Sequence, residues 1–309
     1  MSGFLVRGGL ALILSVLLAG VAAAQTKITM MYSAVSGFAS SFVAQEQGFF
    51  KKRGFDVDLQ LTNNTANVPA ALVSNSVQVG GTTIPTIIQA IDAGLDLVLF
   101  AAGGVFPLEG DALVARPGSN IQKPADLKGK TVGVPGIGAL LHFMLVRYLK
   151  QNGVDPSEVK FIEIGFVQAA DALKSGAIDA FPAVAPFSPR IIQSGAGYAF
   201  AEWLKDTPDG TLTVVHAATR KWATENKELV ANYRKALEEA NVFIKDNREG
   251  YNAATAKYTR LPPPVVAALA PPNLAVNMTP AQVKWWIDLA KDQKLIKNDI
   301  DAAKLIYQP

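Results

Sequence analysis

The segment Ala71-Leu72-Val73-Ser74-Asn75-Ser76-Val77-Gln78-Val79 is echoed without gaps by Ala172-Leu173-Lys174-Ser175-Gly176-Ala177-Ile178-Asp179-Ala180. In each copy the pattern predicts an amphipathic helix that stops at a residue tolerating positive φ, Asn75 or Gly176. The chain then re-enters a sheet two residues later. The flanking units match in the same order. Before the first copy come a strand at Ile28 to Tyr32, a helix at Phe38 to Phe50 and a strand at Phe55 to Leu61. Before the second come a strand at Thr131 to Val134, a helix at Ala139 to Gln151, a stop at Gly153 and a strand at Val159 to Ile164. The alternation of Phe55, Val57, Leu59 and Leu61 is that of a strand, and Gly54 stands where a helix end accepts a left-handed residue. The repetition implies two lobes on one plan, an α/β fold in which each lobe is a mostly parallel sheet flanked by helices.

The remainder sets the boundaries. Arg7, the apolar run Leu10 to Leu18 and Ala22-Ala23-Ala24 have the three-part layout of a secretory signal, so residues 1–24 are expected to be removed. The apolar run is shorter than the roughly 20 residues that span a bilayer. Lobe 1 is expected over residues 25–109 and lobe 2 over 110–216, with a return to lobe 1 over 217–309. A return crossing is expected after a strand at Thr211 to Val215. Beyond it helices are expected at Lys227 to Lys245, Glu249 to Tyr258, Val265 to Ala270, Ala281 to Asp292 and Asp301 to Tyr307, all packing back on lobe 1. The net charge of +3 is too small to point to nucleic acid. No cysteine is present, so disulfides, zinc thiolates, a thiol nucleophile and a lipidated cysteine are excluded. A freely diffusing monomer is expected, periplasmic where the host has an outer membrane.

Three segments carry a family likeness: Ala44-Gln45-Glu46-Gln47-Gly48-Phe49-Phe50-Lys51-Lys52-Arg53-Gly54-Phe55-Asp56-Val57, Pro124-Ala125-Asp126-Leu127-Lys128-Gly129-Lys130-Thr131-Val132-Gly133-Val134, and Ala170 to Ala180. In that order they resemble the ABC-importer solute-binding proteins that include the nitrate, sulfonate, taurine and thiamine-pyrimidine binders. The resemblance implies a two-lobed periplasmic-binding fold of the second type, with the ligand cleft at the hinge. It also implies a membrane permease and an ATPase as transient partners; no cofactor or metal is expected. None of the segments specifies the ligand.

In open α/β sheets ligands bind beyond the carboxyl ends of strands, where helix N-termini point. Walking off each strand end gives Ser36, Gly37 and Phe38, then Asn64 and Thr65 with Asn63 and Ala66 beside them, then Gly81, Thr82 and Thr83. The second lobe gives Gly136, Gly138 and Ala139 around Ile137, then His142 one turn on, Phe166 with Gln168, and Ala185 and Phe187 around Pro186. Ser36 and Thr65 read equally well as helix N-caps, and Phe38, Phe106, Phe166 and Phe187 as core. Glu109 and Asp111 near the hinge are candidates to meet an amine. None of these turns contains Lys or Arg. An anion there would be held by backbone N–H groups, hydroxyls and helix dipoles, and a neutral aromatic ligand between rings is the alternative. The competing functions are an enzyme on the same fold, with only His142 and His216 as candidate bases, and a protein that presents ligand to a membrane receptor.

Overall fold

The computed structural model describes residues 25–107 and 110–309. The expected leader, residues 1–24, and Glu109 lie outside them. The chain runs β1 (Thr26–Tyr32), α1 (Ala39–Glu46), α2 (Phe49–Lys52), β2 (Phe55–Leu61), α3 (Val68–Val73), β3 (Val79–Thr82), α4 (Ile84–Asp92) and β4 (Leu97–Ala102). It continues through β5 (Ala112–Ala115), β6 (Thr131–Val134), α5 (Leu140–Gln151), β7 (Lys160–Glu163), α6 (Ala169–Ser175), β8 (Ala180–Ala183), α7 (Phe187–Gln193) and β9 (Tyr198–Ala201). It closes with β10 (Val215–Thr219), α8 (Arg220–Glu225), α9 (Lys227–Asp246), α10 (Arg248–Thr259), α11 (Pro263–Ala267), α12 (Pro280–Asp292) and α13 (Ala302–Leu305).

Two five-stranded sheets result, in the orders β2-β1-β3-β10-β4 and β7-β6-β8-β5-β9. They repeat one design. The first three strands of each are parallel, and a strand from elsewhere in the chain, β10 or β5, enters antiparallel between β3 and β4 or between β8 and β9. The echoed segments do the same work in both. Asn75 and Gly176 take φ of 56° and 74°. The residue before each strand pins the neighbouring strand's backbone: Thr29 N–H donates to Gln78 Oε1 at 2.9 Å, and Thr131 N–H to Asp179 Oδ2 at 3.0 Å.

Differences from the sequence expectation have identifiable causes. The helix expected over Phe38 to Phe50 is two helices, because Gly48 takes φ 71° and ends the first. The third C-terminal helix begins earlier, at Pro263, where proline's missing N–H costs nothing in a first turn. The strand expected at Thr211 to Val215 is displaced to β10. Residues Thr211 to Val214 instead form one limb of the hinge, with Phe106 N–H on Thr211 O, Thr213 N–H on Gly104 O and Gly103 N–H on Val214 O, at 2.8, 2.8 and 2.9 Å. A third extended segment lies against the other side of residues 102–105: Ala275 N–H donates to Gly103 O and Val105 N–H to Asn273 O, at 2.9 and 3.0 Å. Only glycine fits where the limbs cross, since a Cβ on Gly104 would stand 2.7 Å from Thr213 Oγ1 and 2.9 Å from Gly37 Cα.

The C-terminal helices require a correction. Helices α9 and α10 do cover the first sheet, against α1, and Tyr233 joins Phe50, Phe55 and Phe100 in a buried ring cluster. Helix α12, however, packs on both lobes. It lies on α4, while its Trp286 ring meets Phe143 of α5 at 5.9 Å and Gln293 Nε2 donates to Phe143 O at 3.0 Å. Trp286 Nε1 also donates to Leu212 O on the hinge limb at 2.9 Å. An amphipathic pattern shows that a face is buried, not what buries it.

Candidate functional site

Between the two sheets lies a cavity of about 70 Å³, walled by turns from both lobes and by the hinge. The first lobe contributes Ser33, Val35, Ser36, Gly37, Asn63, Thr65 and Thr83, the second Pro135, Ala139, Leu140, Leu141, Phe166, Val184 and Ala185, and the hinge limb Thr213 and Val214. None of these sixteen carries a charge. Five bear hydroxyls, and the N-terminal turn of α5 presents Leu140 and Leu141, whose N–H groups have no partner within the helix. The remaining surface is largely aliphatic, with Phe166 as the one ring. Such walls suit a ligand with an acceptor-rich end and an apolar body.

Of the strand-end candidates, Ser36, Gly37, Thr65, Thr83, Ala139, Phe166 and Ala185 line this space, and so does Asn63 beside them. Others build the walls from behind. Phe38 is fully buried and meets the His216 ring edge-on at 5.8 Å. Phe187 is buried and stacks on Phe166 at 5.1 Å, fixing that ring. Gly81 lets β3 pass Met30 and Phe38, which a Cβ would approach within 2.7 and 2.9 Å. Thr82 is buried and donates to Thr65 O at 3.4 Å. The capping role open to Ser36 and Thr65 falls elsewhere: Asn64 Oδ1 accepts from Ala66 N–H at 2.9 Å, and Ser36 makes no capping bond.

The rest form the cleft mouth. Asn64 Nδ2 donates across to Glu163 Oε2 at 2.7 Å, and Glu163 Oε1 accepts from Ile137 N–H at 3.0 Å. Gly136 faces Asn64, whose Oδ1 would lie 3.2 Å from an added Cβ. Gly138, at φ 77°, directs its carbonyl at Gln89 of the other lobe, whose Nε2 donates to it at 2.8 Å. His142 serves this turn. Its Nδ1 accepts from Gly138 N–H at 3.0 Å, its ring packs on Phe161, and burial lowers its pKa to about 4, which keeps the acceptor nitrogen unprotonated. Asp111 does not reach the cavity wall; it accepts from Leu204 N–H at 3.2 Å, and burial raises its pKa.

His216 lies 2.9 Å from Ser41 Oγ, a pairing that on a surface would invite a nucleophile reading. Both residues are completely buried in the first lobe, so no substrate reaches them. Among the described residues no cluster of acidic, histidine or cysteine side chains could hold a metal ion.

Residues missed at the sequence level fall into two groups. Ser33 and Pro135 are the first residues after β1 and β6, and Val35, Leu140, Leu141 and Val184 adjoin named turns, so widening each turn by a few residues would have found them. Thr213 and Val214 left no such trace, because they belong to the hinge and not to a strand end. Thr213 is 3% exposed and its Oγ1 has no hydrogen-bond partner.

Two sheets of this topology, joined by hinge limbs around a cleft, define the two-lobed solute-binding fold. The family model described as NMT1/THI5 like matches residues 36–250, and the chain belongs to that family. It is 28% identical, over 77% of this chain and 75% of the other, to a protein of Escherichia coli (strain K12) named for binding aliphatic sulfonates. It is 27% identical to the taurine-binding periplasmic protein of the same organism, over 64% of this chain and 61% of that one. The alkanesulfonate-binding protein SsuA of Xanthomonas axonopodis pv. citri, bound to MOPS, superposes with a TM-score of 0.78 over 92% of this chain and 99% of its own at 22% identity. The same architecture also carries chemistry: the desulfurization enzyme DSZB superposes with a TM-score of 0.65 over 92% of this chain and 97% of its own at 14% identity. Among the described residues no helix is long and apolar enough to cross a membrane.

Proposed function

We propose that this chain is the extracytoplasmic solute-binding component of an ABC importer, a monomer without catalytic activity that closes on a small organic anion and delivers it to a permease driven by an ATPase. One observation carries the reading: the strand-end turns of both lobes meet around a single uncharged cavity with the hinge as its floor. A cleft of that kind binds by closure, and among the described residues none of its hydroxyls has a histidine, carboxylate or amine beside it on the lining to activate it. The relatives named above for sulfonates and taurine point to the same ligand class. The lobes are assigned as 25–109 with 217–309, and 110–216; the return of β10 to the first sheet supports this division. The mature chain, from Gln25, is assigned to the periplasm on its export signal, with no cysteine for a lipid anchor.

The closed cavity is small. An apolar cavity of about 150 Å³ holds benzene, so a ligand of six or more heavy atoms enters the cleft in its open form and the walls settle on it as the lobes close. The test is a thermal-shift panel of alkanesulfonates, carboxylates, nitrate, pyrimidines and aromatic acids on the mature protein. Ligand at about 100 times its Kd stabilises by about 2.7 kcal/mol, a shift of roughly 5 °C for a chain of this size. Absence of any stabiliser across the panel refutes the proposal.

A further inference from the structure

Solute binding as proposed above is the premise here, and the charge distribution at the cleft narrows it to a class of solute. A bound zwitterion needs a partner for each end. Among the described residues no carboxylate lines the cavity. Glu163, on the strand leading to the Phe166 turn, has both oxygens engaged, Oε1 by Ile137 N–H and Oε2 by Asn64 Nδ2. Asp111 is held by Leu204 N–H and stands outside the lining. The fixed partial charges have the opposite preference. Helix α5, 12 residues long, opens on the cavity at its N-terminus, where the dipole and the orphan N–H groups favour an anion and oppose a cation. The partnerless hydroxyl of Thr213, on a residue 3% exposed that lines the hinge side, is a second group without a mate in the protein.

We infer that the cleft accepts a compact organic anion whose body is uncharged, and rejects the same molecule when it carries an ammonium group. An ammonium among Val35, Leu140, Leu141 and Val184 gives up its hydration and receives no counter-charge, which is the costly case for a buried ion. Size plays no part in this discrimination, so matched pairs isolate it.

Propane-1-sulfonate and taurine have the same number of heavy atoms and differ in a methyl against an ammonium; butyrate and β-alanine repeat the comparison with a carboxylate head. Titration calorimetry on the mature protein is expected to show each uncharged-tail member binding at least 30-fold tighter than its aminated partner. Ser36→Asp, at a partly exposed position on the cavity wall, is expected to shift the preference toward taurine by at least tenfold. Affinities within threefold inside both pairs, or a preference for the amine in wild type, overturn the inference and leave solute binding intact. No binding by any of the four probes, with another member of the wider panel bound, also overturns it; failure of the whole panel instead refutes the proposed function.

Discussion

Gln89 is the sharpest test of closure, because its side-chain amide is divided between the lobes. Nε2 donates to Pro85 O within α4 at 2.9 Å and to Gly138 O of the second lobe at 2.8 Å. Opening the cleft leaves the first bond in place and returns the second to water, so Gln89→Ala removes a bond whose net worth belongs to the closed state alone. A hydrogen bond of this kind contributes about 1 kcal/mol net, equivalent to roughly a fivefold change in the closure constant. Apparent affinity scales with the closed fraction; where the open form predominates without ligand, the loss appears in full. Titration calorimetry with whichever panel member binds is therefore expected to give an affinity about fivefold weaker. The unliganded Tm should stay within about 2 °C of wild type, since alanine suits the helix and no core contact is lost. An affinity within twofold of wild type, or a drop in unliganded Tm that accounts for the whole effect, refutes the reasoning.

Three further outcomes are expected. His216 is fully buried, and desolvation lowers its pKa to about 4 in the folded protein, against about 6.5 in the unfolded chain. Between these values the unfolded form binds the extra proton, so stability is complete above pH 6.5 and declines as the pH falls toward 4. Its contribution to the loss is about 2 to 3 kcal/mol by pH 4.5, and urea unfolding at pH 7 and 4.5 should show His216→Gln losing less than wild type over that interval; equal losses sink the attribution. Trp286→Ala deletes a fully buried ring that joins α12 to α5 and to the hinge limb, with an expected cost of about 3 to 5 kcal/mol in chemical denaturation; a cost under 1 kcal/mol would show that α12 is not a structural strap. Gly138→Asp adds a side chain at φ 77°, where a Cβ would stand 3.0 Å from Gln89 Oε1, and a negative charge at the cleft mouth. Binding of a sulfonate or carboxylate is expected to weaken at least tenfold with the circular dichroism spectrum unchanged, and undiminished affinity would remove this turn from the site.

Much of the fold was legible because its signals are local. Positive φ at Asn75 and Gly176 follows from residue type, and strands such as Phe55–Leu61 and Thr131–Val134 follow from short apolar runs between turn residues. The repeat of these features two times along the chain determined two sheets on one plan. The strand-end rule then located the turns around the cleft, since it depends only on chain direction through a parallel sheet. What the tertiary structure alone decided is non-local. Thr213 and Val214 join the site because three extended segments converge at the hinge, a convergence set by glycines at 103 and 104 and by a partner strand some 170 residues downstream. Asn64, Gly138 and His142 turned out to shape the mouth and not the wall, and α12 to hold both lobes, because the choice between neighbouring surfaces depends on how the lobes pack together. Residue pattern records that a group is buried or free to turn; which other group it meets is settled only when distant segments share the same space.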